Sequence, residues 1–90
     1  MFEWDEGNTP HVLEHQVTPQ QIEEAVLDPY ALPPVLSGIV RGEIRYTTIG
    51  ASVHGTVIVV VFTERHSNIR VITAYPARGA KLHRYMRGLS

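Results

Sequence analysis

The strongest structural signal in the sequence is an unbroken apolar run, VIVVVF at residues 57–62. Five of these six residues are β-branched, which favours an extended strand over a helix. The run is also much shorter than the ~20 apolar residues that a membrane-spanning helix needs. Because a strand that is apolar at every position is buried on both faces, we predict that residues 57–62 form the central strand of a sheet.

Weaker strand patterns lie on either side of this run. Residues 43–49 and 69–74 alternate polar and apolar side chains, and the short links to the central run contain glycine, serine and asparagine. Both links suit antiparallel hairpins, so the central strand is expected to be paired on both sides. In the second segment, the alternation predicts that Val71 and Thr73 point to one face of the sheet.

Start signals for three helices complete the pattern. Residues 18–21, TPQQ, have the form of a capping box with proline at the first helical position. A weaker signal of the same kind, NTP at residues 8–10, precedes a short segment that ends near His15, and Pro76 precedes a last segment that ends before Gly88. Between the second and third helices, residues 29–42 contain three prolines and two glycines and are predicted to form a loop.

These elements predict a single α+β domain over residues 1–90. We expect a three- to four-stranded antiparallel sheet with two N-terminal helices and a C-terminal helix, all packed on one face of the sheet. The fourth strand would be Phe2-Glu3-Trp4, in which apolar and polar residues alternate.

The composition and the motifs exclude several classes of protein. The chain has no cysteine, which excludes a disulfide framework and a thiolate metal site. Its first residues, MFEWDEGN, are acidic and lack the basic and apolar regions of a signal peptide, so we expect a cytoplasmic protein without a membrane segment. No glycine-rich phosphate loop or nucleophile elbow occurs. His11 and His15 are four residues apart, which on a surface helix is more often a coincidence than a metal site.

The charge is divided between the two halves of the chain. Residues 1–40 contain seven acids and no lysine or arginine, whereas residues 41–90 contain all eight basic residues and only two acids. This distribution suits either two solvated faces of opposite sign or a basic surface for an anionic partner. Charge alone favours the first interpretation.

The basic residues of the second half come from several predicted elements, an arrangement that suits the binding of RNA phosphates. They are Arg45 and Arg70 on two strands, and Arg78, Lys81 and Arg84 at the last helix. Cleavage of RNA without a metal also needs groups that exchange protons with the 2′-hydroxyl and the leaving 5′-oxygen. His15 and Tyr75 are of the right chemical type, although His15 taken alone is more simply explained as a helix cap or as a filler of a polar gap.

Several blocks of the sequence resemble the BrnT-like toxins of bacterial toxin–antitoxin pairs. The blocks follow one another in the family's order along nearly the whole chain: FEWDEGN at 2–8, VTPQQIEEAVLDP at 17–29, GEIRYTTIG at 42–50, VVVFTER at 59–65 and IRVITA at 69–74, with Ala77 and Tyr85 in the last helix. The resemblance implies a RelE-like fold and a ribonuclease that uses neither metal nor cofactor. It also implies growth arrest by the free protein and neutralisation by a BrnA-type antitoxin, through which alone the pair would contact operator DNA.

By position, the functional residues of the family fall on His15, Arg45, Arg70, Thr73 and Tyr85. The chain departs from the family pattern at Glu14, Gln16, Tyr75 and Lys81, where the family has lysine, glycine, arginine and glutamate.

Two interpretations of these departures remain open. In the first interpretation, the active site has lost its catalytic residues, which would leave a catalytically inactive module that binds an antitoxin in a DNA-repressor complex. Alternatively, Thr73-Ala74-Tyr75-Pro76 resembles the Thr-x-Tyr-Pro segment of the wider superfamily of ribonuclease toxins, in which the threonine and the tyrosine belong to the site. We favour the second interpretation. We therefore assign catalysis to His15, Arg45, Thr73 and Tyr75, and phosphate binding to Arg70, Arg78, Lys81 and Arg84.

Overall fold

The apolar run forms the centre of the sheet, as predicted. The computed structural model describes residues 1–89. Its strands are β1 (Phe2–Glu3), β2 (Val35–Val40), β3 (Glu43–Ala51), β4 (Val57–Arg65) and β5 (Asn68–Pro76), and its helices are α1 (Thr9–Glu14), α2 (Pro19–Leu27) and α3 (Gly79–Gly88). The strand order is β1-β5-β4-β3-β2, which places β4 third in a five-stranded sheet.

The predicted α+β class is confirmed, but the three- to four-stranded antiparallel sheet is wrong. β4 pairs antiparallel with β3 and with β5, and β2 pairs antiparallel with β3. β1 pairs with β5 in parallel, so the sheet is mixed. The additional strand is β2, which occupies part of the segment predicted to be a loop.

β2 is an edge strand that exposes apolar side chains. Val35, Leu36 and Ile39 are 54%, 62% and 64% exposed. The strand turns into β3 at Arg41 and Gly42, whose φ angles of 52° and 79° are both positive, as in a type I′ turn. Because β2 has neither the alternation of a half-buried strand nor a buried apolar run, its sequence gives little sign of a strand.

Helices cover both faces of the sheet, so the expectation of a single covered face is wrong. On one face, Ile58, Val60 and Phe62 of β4 join a core cluster with buried residues of α1 and α2. On the opposite face, Val59 packs in a second cluster with Tyr85 of α3. A central strand that is apolar at every position needs cover on both sides, and α3 supplies the second layer.

Helix α2 lies directly against the sheet, and Gly50 of β3 permits the close approach. A Cβ atom at Gly50 would lie 1.9 Å from the carbonyl oxygen of Ala25 in α2. The predicted capping box of α2 is present: the Gln21 amide donates to Thr18 Oγ1 at 3.1 Å, and the Thr18 amide donates to Gln21 Oε1 at 2.9 Å. Within residues 1–89, no helix is both long and apolar enough to cross a membrane.

Candidate active site beside strand β5

A β-bulge in β5 decides which face each site residue occupies. Val71 pairs with Phe62 and Thr73 pairs with Val61, so Ile72 between them has no partner on β4. The extra residue shifts the alternation, so that Val71 lies in the core beneath α1 and α2 while Thr73 shares the opposite face with Val61. The prediction that Val71 and Thr73 share a face is therefore wrong, because a regular alternation cannot anticipate an inserted residue.

Helix α1 lies beside the part of β5 that β1 leaves unpaired. β1 pairs with only two residues of β5, Ile69 and Arg70. The buried side chain of Asn8, just before α1, donates to the carbonyl oxygen of Val71 at 3.0 Å, and Val12 is fully buried in the core. These anchors bring the C-terminal end of α1 to the last residues of β5.

Four side chains meet where α1 and β5 come together. A ring nitrogen of His11, Nε2, lies 3.1 Å from Thr73 Oγ1. The rings of His11 and His15 contact each other edge to face, with centroids 4.9 Å apart. The rings of His15 and Tyr75 have centroids 6.4 Å apart. The three rings and the threonine hydroxyl therefore form a continuous series of contacts.

His15 and Tyr75 both line an open concavity of about 510 Å³. Its remaining walls are Glu14, Gln16, Pro76, Arg78 and Lys81. Arg78 directly precedes α3 and Lys81 lies in its first turn, and both side chains are exposed. The structure thus brings together four of the predicted site residues: an imidazole, a phenol and two cations.

Two other predicted residues lie elsewhere. Arg45 is on β3, two strands away from β5, which corresponds to about 10 Å across the sheet. It lines a separate concavity with Arg41 and Arg65. Its guanidinium is 3.9 Å from Glu43, and its Nε is buried without a hydrogen-bond partner among the described residues. Arg84 lines a third concavity with Leu32 and Arg87.

Arg70 is held by acids from the N-terminal segment. Its Nη1 lies 3.0 Å from Glu3 and 2.8 Å from Asp5, and the side chain is 13% exposed. The hydrogen bond from Arg70 lowers the pKa of the Asp5 carboxyl. The charge of Arg70 is compensated within the fold, where it fastens β1 and the following residues to β5.

Tyr85, a position carried over from the family, is a structural residue in this chain. It is 4% exposed and lies in the core cluster beneath α3. Its hydroxyl donates to the carboxylate of Asp28, which also accepts from the backbone amide of Ala51. Burial, together with the hydrogen bond to Asp28, raises the pKa of Tyr85 to about 12.

The raised pKa of Tyr85 predicts a loss of stability at alkaline pH. An unfolded tyrosine loses its proton near its ordinary value of 10.0, whereas the folded protein retains it to about pH 12. Protonated Tyr85 therefore contributes to the free energy of unfolding in full below pH 10. This contribution, at most about 3 kcal/mol, is lost as the pH rises to about 12. Tyr85→Phe should therefore show a shallower fall in the free energy of unfolding than the wild type between about pH 10 and 12, measured by urea denaturation. Parallel curves for the two proteins would contradict this assignment.

Sequence reasoning missed His11. The only signal was its spacing of four residues from His15, which we interpreted as a coincidence on a surface helix. Within residues 1–89, no group of three or more histidine, cysteine, aspartate or glutamate side chains is placed to hold a metal ion. His11 instead contacts Thr73, a partner 62 residues away that a helical spacing cannot reveal.

At Gln16, where the chain departs from the family pattern, the backbone keeps a conformation that favours glycine. Gln16 has a φ of 66°, in the left-handed region that favours glycine, and glycine is the residue that the resembled family has at this position. Gln16 therefore retains the turn that ends α1 after His15.

Comparisons with known proteins agree with the resemblance. A family model described as the ribonuclease toxin BrnT of type II toxin–antitoxin systems matches residues 4–80. The match includes His15, Tyr75 and Arg78 and ends just before Lys81. No curated protein matches the sequence.

Proposed function

The chain belongs to the BrnT family of ribonuclease toxins of type II toxin–antitoxin systems, and we propose that it cleaves RNA at the concavity lined by His15 and Tyr75. The observation that carries this proposal is that the two rings, with centroids 6.4 Å apart, share one open concavity with Arg78 and Lys81. Proton-exchanging groups and cations are the two requirements for cleavage by the substrate's own 2′-hydroxyl.

In the proposed reaction, the 2′-hydroxyl of the substrate is the nucleophile. His15 takes its proton while the 2′-oxygen bonds to phosphorus. Tyr75 gives its proton to the 5′-oxygen as the bond from phosphorus to that oxygen breaks. The products are a 2′,3′-cyclic phosphate and a 5′-hydroxyl, and His15 is left with one proton more and Tyr75 with one fewer. Return of that proton from His15 to Tyr75 restores both groups, so the cycle balances without a further reactant. Arg78 and Lys81 would stabilise the negative charge that accumulates on the phosphorane.

We assign Arg45 to the phosphate of a neighbouring nucleotide. It lies too far across the sheet to share the concavity of His15, but its ion pair with Glu43 is long, at 3.9 Å. Its Nε is buried without a partner among the described residues, but the residue lines an open concavity with Arg41 and Arg65, where its guanidinium would bind a phosphate oxygen. The exposed Arg84 would extend the basic surface along α3, whereas Arg70 would have to leave Glu3 and Asp5 to bind RNA.

The partner that the family implies is an antitoxin. We propose that it is of the BrnA type, that it covers the concavity and the face that carries Arg45, and that it alone contacts operator DNA. Cations on this surface favour a partner that contributes acidic or aromatic side chains. Such a cover would exclude RNA from His15 and Tyr75.

The proposal is tested by induced expression with and without the antitoxin gene, followed by analysis of RNA integrity. We expect growth arrest and fragmented RNA only when the antitoxin is absent. With the purified protein, a 2′-deoxy substitution at the cleaved position should prevent cleavage because the nucleophile is missing, and EDTA should have no effect. A folded protein that binds antitoxin but neither arrests growth nor cleaves RNA would favour the inactive binding module instead.

A further inference from the structure

His15 lies at the exposed C-terminal end of a short helix, where a side chain usually moves among several rotamers. Within residues 1–89, no hydrogen bond holds its ring. The ring is bounded instead by two others, His11 at 4.9 Å and Tyr75 at 6.4 Å between centroids. A proton-transferring group must be held in a narrow range of orientations, so these contacts bear directly on its action.

His11 is itself fixed by a polar contact with the sheet. Its Nε2 lies 3.1 Å from the hydroxyl of Thr73, which the bulge at Ile72 directs away from the core beneath α1. Neither His11 nor Thr73 lines the concavity that contains His15. The two residues therefore stand behind His15 rather than beside the substrate.

We propose that His11, held by Thr73, is a positioning residue that keeps the His15 ring turned towards Tyr75 and the concavity. The proposal changes the role of Thr73 from catalysis to support. The expected effect of His11 on cleavage rests on the proposed function, whereas its expected effect on the orientation of His15 does not. The charged groups around this ring are Glu14 on α1 and Arg78 and Lys81 at α3, all of which the test leaves unchanged.

Two substitutions break the same contact from opposite sides. Thr73→Val keeps the shape of the side chain but removes the hydroxyl, and His11→Phe keeps a ring but removes the nitrogen. Each should lower kcat for RNA cleavage by about tenfold to a hundredfold, with KM and Tm unchanged, since misplacement of a reacting group costs rate rather than binding. The double variant should be no slower than either single variant, because both remove one interaction. The matched control is His66→Asn in the turn after β4, where a φ of 50° suits asparagine.

The outcomes separate the possible roles. Unchanged kcat in both single variants, or multiplied effects in the double variant, would overturn the proposal. Loss of one limb of the pH–rate profile in His11→Phe would also overturn it, because His11 would then exchange a proton itself. Contacts between the His15 and Tyr75 rings, measured by NMR in the free protein, should weaken in Thr73→Val. If they weaken while the wild type cleaves no RNA, the proposed function fails and the positioning of His15 stands; if they persist, the positioning fails.

Discussion

His15→Ala should lower the rate of RNA cleavage by a factor of about 10² to 10⁴, the usual loss when one positioned acid or base is removed. The proposed mechanism gives the removal of the 2′-proton to His15 alone, and the concavity, otherwise lined by Glu14, Gln16, Tyr75, Pro76, Arg78 and Lys81, contains no second imidazole. The same variant should fail to arrest growth when it is expressed without antitoxin.

The interpretation of this variant depends on an intact fold. His15 is exposed and follows the last residue of α1, so alanine creates no cavity, and we expect a Tm close to that of the wild type. His83→Ala is the matched control, because this histidine is exposed on α3 and does not line the concavity. Full toxicity of His15→Ala would show that the reaction does not use this residue, and the site would have to be sought elsewhere.

Gly50→Ala should cause the largest loss of stability among single small substitutions at glycine. The added Cβ would lie 1.9 Å from the carbonyl oxygen of Ala25 and 3.2 Å from the Cβ of Ala31. Relief of the first contact requires α2 to move away from β3, and α2 carries Ile22 and Ala25 of the buried core. Overpacking usually lowers the free energy of unfolding by about 1–3 kcal/mol. Because backbone moves less readily than a side chain, we expect Gly50→Ala to lower it by about 3 kcal/mol or more.

Urea denaturation of Gly50→Ala and Gly38→Ala measures this loss against a matched control. Gly38 is also a strand glycine, but apart from its two chain neighbours no atom of residues 1–89 lies within 4 Å of the Cβ position there. Gly38→Ala should therefore change the free energy of unfolding by less than about 1 kcal/mol. Equal effects at the two positions would mean that α2 does not rest on Gly50 in solution. A loss of about 3 kcal/mol is large against the roughly 5–15 kcal/mol that stabilises a typical domain, so Gly50→Ala should also express poorly.

The sequence predicted those elements whose signals are local. The β-branched run of β4 and the capping box of α2 each lie within a few consecutive residues, and both were found as predicted. β2 was missed because an exposed edge strand has no burial pattern to detect, and its turn uses arginine at a position with positive φ. The bulge at Ile72 was missed because a single inserted residue leaves no mark on a six-residue alternation.

In the candidate site too, local sequence signals predicted some residues and contacts between distant residues decided the others. Tyr75, Arg78 and Lys81 come together because they lie within one stretch of chain at the end of β5 and the start of α3. His15 reaches them through the packing of α1 against β5, which only the family resemblance anticipated. The ion pairs of Arg70 join residues 65 or more positions apart, so no spacing rule predicts that its charge is compensated.

The outer edge of β2 has a consequence for the dose of free protein. In the described part of the chain this strand has no neighbour beyond it in the sheet, and its sequence, VLSGIV, contains no charged residue to repel another strand. We therefore expect free chains to pair edge to edge above a threshold concentration. Above that concentration, further synthesis would add to assemblies rather than to dispersed molecules, so the edge strand itself would limit the amount of dispersed chain.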